Sequence, residues 1–563
     1  MRSKLRASGF LGCLLVLGAC SSGGESPGQS VQTGSADATG QVLNPGLNSA
    51  SAQSPDPQVA LQWHLSAANL SASNSTASAL LDLALAGLSE RGRGVRIALI
   101  DGTIDVAHPD LKGRFLDASE ICCDWTPIAS KPGDAAKPGP QAAIANNVRE
   151  TGHATGLAAL IAANENNGIG GRGVAPQASL IGLNAIASGD DSKIVQALQV
   201  ALASAASVIN NSWSPPEPGE GGSRSFYPAP AAWYDALNDA QSKARGGLGA
   251  IVVKASGNGG ASFSPSRWQS DAGDSANYDG YAQHPVVITV GAVDAFARPL
   301  AASEPGAQVL VSAFSSQTNS PALTSGTETL PAGTSSAAAI VSAVSALMLE
   351  AQPRLSWRDL RWILANTARP IPGYDRPGLS SAQSFLRAHG YHQLVGFGLI
   401  DAKAAVNASK AFQGLPPLRT CFYSAQDRAP RVIVDRPNAS LGSSWQEVPI
   451  NQDQAKVSFS FDLTASQCAI DRIESVLLSV ASSHQDPTGL RITLISPTGH
   501  GVQLAAPRDC ATSSCTPLTQ GFQFHIVRFM AEPAAGRWTL QVSEELGRSS
   551  GSLNRLQLTL MGH

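Results

Sequence analysis

Charge is scarce in this chain. Of its 563 residues only 14% are Asp, Glu, Lys or Arg, and the formal net charge is −3. Such a balance gives no footprint for nucleic acid and no polybasic contact for a membrane. Other signatures are missing as well. None of the eight cysteines is spaced as in a zinc site, and there is no nucleotide-phosphate loop and no repeat array. The apolar run 9–17 is too short to stay in a bilayer as a spanning helix. Residues 21–54 carry no aromatic side chain; rich in Ser, Gly, Gln, Ala and Pro, they read as a flexible tether. What is present suffices for folding: 43% of residues are apolar, and the length suits two or three domains with sizeable cores.

The N-terminus has a basic start in Arg2, Lys4 and Arg6, the short apolar run, then Leu17-Gly18-Ala19-Cys20. It resembles a bacterial lipoprotein signal, with 1–20 the signal peptide and Cys20 the lipid-modified residue; a plain secretory signal is the alternative. Ser21 after the cysteine implies the outer membrane, with release of the anchored protein left open. Six cysteines remain beyond Cys13 and Cys20, and an even number in an exported chain favours disulfides. Cys421 with Cys468 and Cys510 with Cys515 are plausible pairs, whereas adjacent Cys122 and Cys123 allow only a strained link.

Order is expected from about residue 55. A helix is predicted over 77–88, then a strand over 95–100 that stops on Asp101. His153 opens an apolar helix running to Ala163, and strands follow at 174–183, 208–210, 251–253 and 286–290, with a helix at 194–205. Strands alternating with helices imply a parallel sheet with helices on both faces, here over 55–412. Gly414-Leu415-Pro416-Pro417 marks a linker, 413–429. Beyond it the apolar period becomes two, at 457–461, 490–494 and 538–542, and less cleanly at 473–480, so 430–563 reads as a β-sandwich.

The chemistry gathers on Gly333-Thr334-Ser335-Ser336-Ala337-Ala338-Ala339. A serine at a helix start sits among unpaired N–H groups and the positive end of the helix dipole, where an oxyanion is stabilised. Gly-Thr-Ser is also an ordinary capping sequence. A serine nucleophile needs a base, the base needs a carboxylate to hold its tautomer, and the oxyanion needs preset donors. Asp101, His153, Asn258 and Ser335 stand in the chain in an order that supplies all four.

Residues 97–111 (IALIDGTIDVAHPDL), 153–163 (HATGLAALIAA), 173–180 (GVAPQASL) and the Ser335 loop resemble the subtilisin-like serine proteases. The nearer resemblance is to the kexin/furin branch. It is carried by Asp56-Pro57, Gln62-Trp63-His64-Leu65, Asn211-Ser212-Trp213-Ser214-Pro215, 255–260 (ASGNGG) and Tyr278-Asp279-Gly280-Tyr281. Region 430–563 is similar to that branch's P domain, a jelly roll, through Ser496-Pro497-Thr498-Gly499 and Gly536-Arg537-Trp538-Thr539-Leu540. The resemblance implies a calcium-dependent serine endopeptidase acting on proteins or peptides. Asp101, His153 and Ser335 would be its triad and Asn258 its oxyanion donor. Ser212, Trp213 and Ser214 would bind the substrate backbone as an added strand. Asp279 would sit at the base of the P1 pocket and select Arg or Lys, although an Asp-Gly turn is also common at the surface. One Ca²⁺ site is implied at Asp56, Asp110 and Asn167 with carbonyls of Asn164, Ile169 and Gly171. A second is implied at Asp274 and Glu304, with Glu217.

The departures also inform. Gly102 stands where the branch has a second Asp, and Gln196 where it has a Glu, so dibasic preference is not implied while a basic P1 is. Ala154, Ser214 and Ala339 replace a Gly, a Gly and a Pro without removing a catalytic group. Residues 21–54 are too short and polar to be the branch's folded propeptide, which leaves room for a separate folding chaperone. Two rival readings are an inactive surface binding protein on the same scaffold, and a self-processing adhesin whose β domain is the functional part.

Overall fold

Six short apolar segments, each closed by a glycine or a polar turn, build one parallel sheet. They are β1 Arg96–Asp101, β2 Ser179–Asn184, β3 Val208–Asn211, β4 Ile251–Ala255, β5 Val287–Val293 and β6 Val309–Phe314, in the order β2-β1-β3-β4-β5-β6. β3 to β6 are buried at every position, as expected for strands covered on both faces. The computed structural model describes residues 55–65, 83–116, 148–186, 190–216, 225–260, 273–316, 331–374, 390–426, 457–484, 486–508, 516–545 and 551–563. Cys20, the tether, Cys122, Cys123, Glu217, Cys510 and Cys515 therefore lie outside the described residues.

The helices are α1 Val148–Ala162, α2 Asp191–Ala203, α3 Ala231–Ser242, α4 Thr334–Ala351 and α5 Trp357–Thr367, followed by Ala402–Ala411. Helix α4 is buried from Thr334 to Leu349 and packs on β3 to β6 and on α1. Its Ala and Ser residues are small enough to bring it close to the sheet. It is the only described helix long and apolar enough to cross a membrane, and it lies in the core.

Three expectations are corrected. Residues 83–88 are not helical: Ala84 and Gly87 have φ of 53° and 80°, which a right-handed helix cannot hold, and Leu83 N–H donates to His64 O instead. The helix carrying His153 begins at Val148, so the histidine lies inside it rather than at its start. The strand expected over 174–183 is confined to Ser179–Asn184.

The C-terminal region forms two four-stranded antiparallel sheets. With β7 Arg419–Gln426, β8 Val457–Leu463, β9 Ile473–Ser482, β10 Leu490–Ile495, β11 Gly501–Ala505, β12 Phe522–Ile526, β13 Gly536–Glu544 and β14 Leu553–Gly562, the orders are β11-β10-β13-β8 and β12-β9-β14-β7. Part of the expected linker is thus a strand, because β7 pairs with β14 along its whole length. Cys421 on β7 is bonded to Cys468, as the pairing predicted. The sandwich core also takes in Phe226, Tyr278 and Ala307 from the α/β region. Buried polar contacts join the two regions: Arg358 pairs with Glu474 at 2.6 Å, and His525 N–H donates to Gln283 Oε1 at 2.7 Å. The Tyr278 hydroxyl accepts from Ala506 N–H at 3.1 Å.

Candidate active site

The end of β1 delivers Asp101, whose side chain is nearly enclosed. Its Oδ1 accepts from Gly102 N–H at 2.7 Å and lies 2.9 Å from His153 Nδ1. Asp105 N–H donates to Thr155 Oγ1 at 2.9 Å, which ties the turn after β1 to the helix bearing the histidine. The imidazole remains open on its outer side, with 42% of the side chain exposed. Burial works to lower its pKa, but the charge and hydrogen bond of Asp101 prevail and hold it above the ordinary value.

Ser335 lies in the first turn of α4, after the N-cap Gly333. Its hydroxyl donates to Ser212 O at 3.1 Å, and Ser212 Oγ donates back to Ser335 O at 2.8 Å. The segment after β3 and the helix start are thus clamped together. Asn258 follows β4 at the surface, and its Oδ1 accepts from Thr334 N–H at 2.9 Å. That bond assigns the amide, with Oδ1 turned to the helix start and Nδ2 as its donor end. Gly333 has φ 73°, and a Cβ there would lie 2.3 Å from Asn258 Oδ1, so only glycine permits this approach.

The pocket beside this cluster is lined by Ser214, Tyr227, Asp274, Tyr278, Asp279 and Glu304, with neighbours. Asp279 is where the sequence reading expected it. Its carboxylate, however, is already engaged: Oδ1 accepts from Tyr281 N–H at 2.8 Å, and Oδ2 pairs with Lys254 Nζ at 2.9 Å. The carboxylate expected to meet a basic side chain thus already faces a lysine of the chain itself. Lys254 was overlooked because β4 reads as an apolar run leading into the Asn258 turn. A lysine inside such a run is itself a signal, since a buried ammonium requires a partner. The side chain of Trp213 turns inward and stacks edge-on against Trp233 and Tyr281.

Of the residues implied for the first metal site, Asp56, Asp110 and Asn167 come together, while among the described residues no three His, Cys, Asp or Glu side chains cluster as metal ligands. Asp56 accepts from Asn166, Asn167 and Gly168 N–H groups at 2.6 to 3.1 Å, and Asp110 Oδ1 accepts from Asn167 Nδ2 at 2.9 Å. Asp110 Oδ2 is buried with no hydrogen-bond partner among the described residues. Burial pushes the Asp110 carboxyl up to about 6, with the charge of Asp56 adding to it. Two converging carboxylates, one with an oxygen left over, fit a hard cation. Asn164, Ile169 and Gly171 stand on the adjoining loop, and Asn164 N–H donates to Asp110 O. At the second site, Asp274 and Glu304 face the same pocket, with Glu304 Oε1 accepting from Gly259 N–H at 2.9 Å. Glu217 is outside the described residues.

A six-stranded parallel sheet flanked by helices, followed by antiparallel sheets, is the subtilisin-like fold with a C-terminal β domain. Residues 92–398 match the subtilase family, and residues 473–560 match the proprotein convertase P-domain. The chain belongs to the subtilase family. It is 30% identical over 487 residues to the dibasic-processing endoprotease of Schizosaccharomyces pombe, covering 84% of this chain and 61% of that protein. It spans about three fifths of the length of the curated relatives it matches first. The fold is similar to the serine protease of Aeromonas sobria, with TM-score 0.64 and 21% identity, covering 92% of this chain and 99% of that one. It is also similar to that protease in complex with a chaperone, with TM-score 0.61 and 22% identity, covering 84% and 88%.

Proposed function

We propose that the protein is a calcium-dependent serine endopeptidase acting on protein or peptide substrates. The hydrogen bond of 2.9 Å between Asp101 and His153, taken with the serine in the first turn of α4, carries this reading. Ser335 Oγ attacks the scissile carbonyl carbon while His153 Nε2 takes its proton and later returns it to the leaving amine. Asp101 holds Nδ1–H and stabilises the imidazolium that forms. Asn258 Nδ2 and the Ser335 N–H donate to the developing oxyanion. Water, deprotonated by His153, then hydrolyses the acyl-enzyme. Ser212, Trp213 and Ser214 offer backbone groups along which an extended substrate pairs.

Asp56, Asp110 and Asn167 would hold one calcium ion, and Asp274 with Glu304 a second; bound calcium supplies positive charge that fixes these carboxylates and their loops. Anchorage through Cys20 at the outer membrane follows from the N-terminal pattern. A separate chaperone as folding partner is supported by the complex formed by the Aeromonas sobria protease. The resemblance would add cleavage after Arg or Lys, but the ion pair at Asp279 counts against that part.

Hydrolysis of an internally quenched peptide library, with calcium and with chelator, tests the reading beside a Ser335→Ala control. Calcium-dependent hydrolysis that vanishes in Ser335→Ala is expected. A folded, calcium-supplied protein that hydrolyses nothing would favour the binding-protein reading.

A further inference from the structure

Lys254 breaks the apolar run of β4 and is wholly enclosed. An ammonium there persists only if its charge and its three N–H groups are satisfied. The surroundings supply a counter-charge, a carbonyl acceptor and an aromatic face. Nζ lies 2.9 Å from Asp279 Oδ2, donates to Trp213 O at 2.5 Å, and sits 4.1 Å from the centre of a Trp213 ring. Two of these partners belong to the residues that would read the substrate: the edge segment through Trp213, and the pocket carboxylate through Asp279.

We propose that Lys254 is a specificity-determining residue that turns the pocket away from basic P1 side chains and toward uncharged ones, an assignment that rests on the peptidase reading above. Asp279 Oδ1 accepts a hydrogen bond, while Oδ2 is 2.9 Å from Lys254 Nζ in an ion pair without hydrogen-bond geometry, so the carboxylate charge is matched by a cation the chain supplies itself. An incoming Arg or Lys would have to shed its hydration with no free counter-charge gained at Asp279, whose charge is already matched by the ammonium behind it. Asp274 and Glu304 face the same pocket and are the pair proposed above to hold calcium, which leaves Asp279 as the carboxylate for a P1 charge among the described lining residues. Displacing Lys254 is not an easy route, since its carbonyl and ring contacts hold it independently of Asp279. A Gln, Met or Leu side chain brings no charge to desolvate and finds walls of Pro215, Tyr227 and Tyr278. The specificity switch thus lies on a strand beneath the pocket, outside the segments that line it.

The test compares peptides differing only at P1 and adds benzamidine, a small cation, as a probe that needs no turnover. In the full exported chain, Gln, Met or Leu at P1 should be cleaved at least as well as Arg. Lys254→Met should raise kcat/KM for Arg relative to Gln by at least about tenfold, and Lys254→Met with Asp279→Asn should abolish that gain. By calorimetry on the Ser335→Ala background, Lys254→Met should bind benzamidine at least about tenfold more tightly than the unaltered pocket. A tenfold preference of the unaltered protein for Arg or Lys would overturn the proposal, as would a folded Lys254→Met variant with an unchanged P1 ranking. If Lys254→Met does not fold, the ranking of the unaltered protein and its weak benzamidine binding decide. An absence of hydrolysis with every peptide defeats the peptidase reading, whereas tight benzamidine binding by the unaltered pocket defeats the role of Lys254 alone.

Discussion

The reacting end of the site and its pocket end are built to different standards of likeness. At the reacting end Asp101 is hydrogen-bonded to His153, Asn258 to the start of the helix that carries Ser335, and the Ser335 hydroxyl donates to Ser212 O. At the pocket end the surface residues are equally in place, yet one lysine from the strand beneath changes what Asp279 can offer. The lesson is that residues lining a pocket do not by themselves define its charge. The buried neighbours behind them take part.

Substitutions at the reacting end should have the largest effects. Ser335→Ala should lower kcat by about 10⁶-fold and Asp101→Asn by about 10⁴-fold, measured by peptide hydrolysis with folding checked by circular dichroism. Asn258→Ala should cost about 10²–10³-fold in kcat with little change in KM, because it serves the transition state. Equal losses in binding and turnover would instead mark it as a loop anchor.

The pocket end should show itself in stability. Lys254→Met leaves Asp279 without its cation and should destabilise by about 3–5 kcal/mol in denaturant unfolding, with much of that recovered when Asp279→Asn is added. Additive losses would mean the two side chains act separately. At the first metal site, chelator should lower the melting temperature of the folded protein, and Asp110→Asn should shrink the difference between calcium and chelator. A chelator effect untouched by Asp110→Asn would remove that residue from the ligand set.

The scaffold common to both ends should respond to acid. Burial lowers the His64 and His284 pKa values to about 3, with Arg172 and Arg361 respectively adding to the effect. The unfolded chain therefore binds more protons below its ordinary histidine value, so stability is full above about pH 6.5 and falls as pH drops toward 3. Each histidine contributes at most about 1.4 kcal/mol per pH unit, and His284→Gln should flatten the dependence of melting temperature on pH. A melting temperature that rises on acidification would contradict the burial of neutral imidazoles.

Much of this was legible from local patterns. The strand ending on Asp101, the Asn258 turn and the Ser335 helix start each carry their signal within a few residues, and the alternation of strands with helices fixed the sheet's class. The period-two segments likewise revealed the sandwich. The failures have physical causes. An alanine- and leucine-rich stretch near residue 83 has good helix propensity, but positive φ at Ala84 and Gly87 excludes the helix there. The strand β7 was hidden in a linker because its pairing with β14 joins positions far apart in the chain. Lys254 and Asp279 are separated by 25 positions, and their meeting depends on a fold that no local pattern prints. The residues proposed to hold calcium read as surface turns, and it is the buried Asp110 Oδ2, without a hydrogen-bond partner among the described residues, that argues for a cation.

The most direct test is the rate at which a fluorophosphonate labels the calcium-supplied protein as pH is varied, with the labelled residue located by mass spectrometry. The account predicts labelling at Ser335 alone, rising with pH through a midpoint above the ordinary histidine value of about 6.5, because Asp101 holds the imidazole protonated longer. Labelling elsewhere, none at all, or a rate at Ser335 indifferent to pH would contradict it.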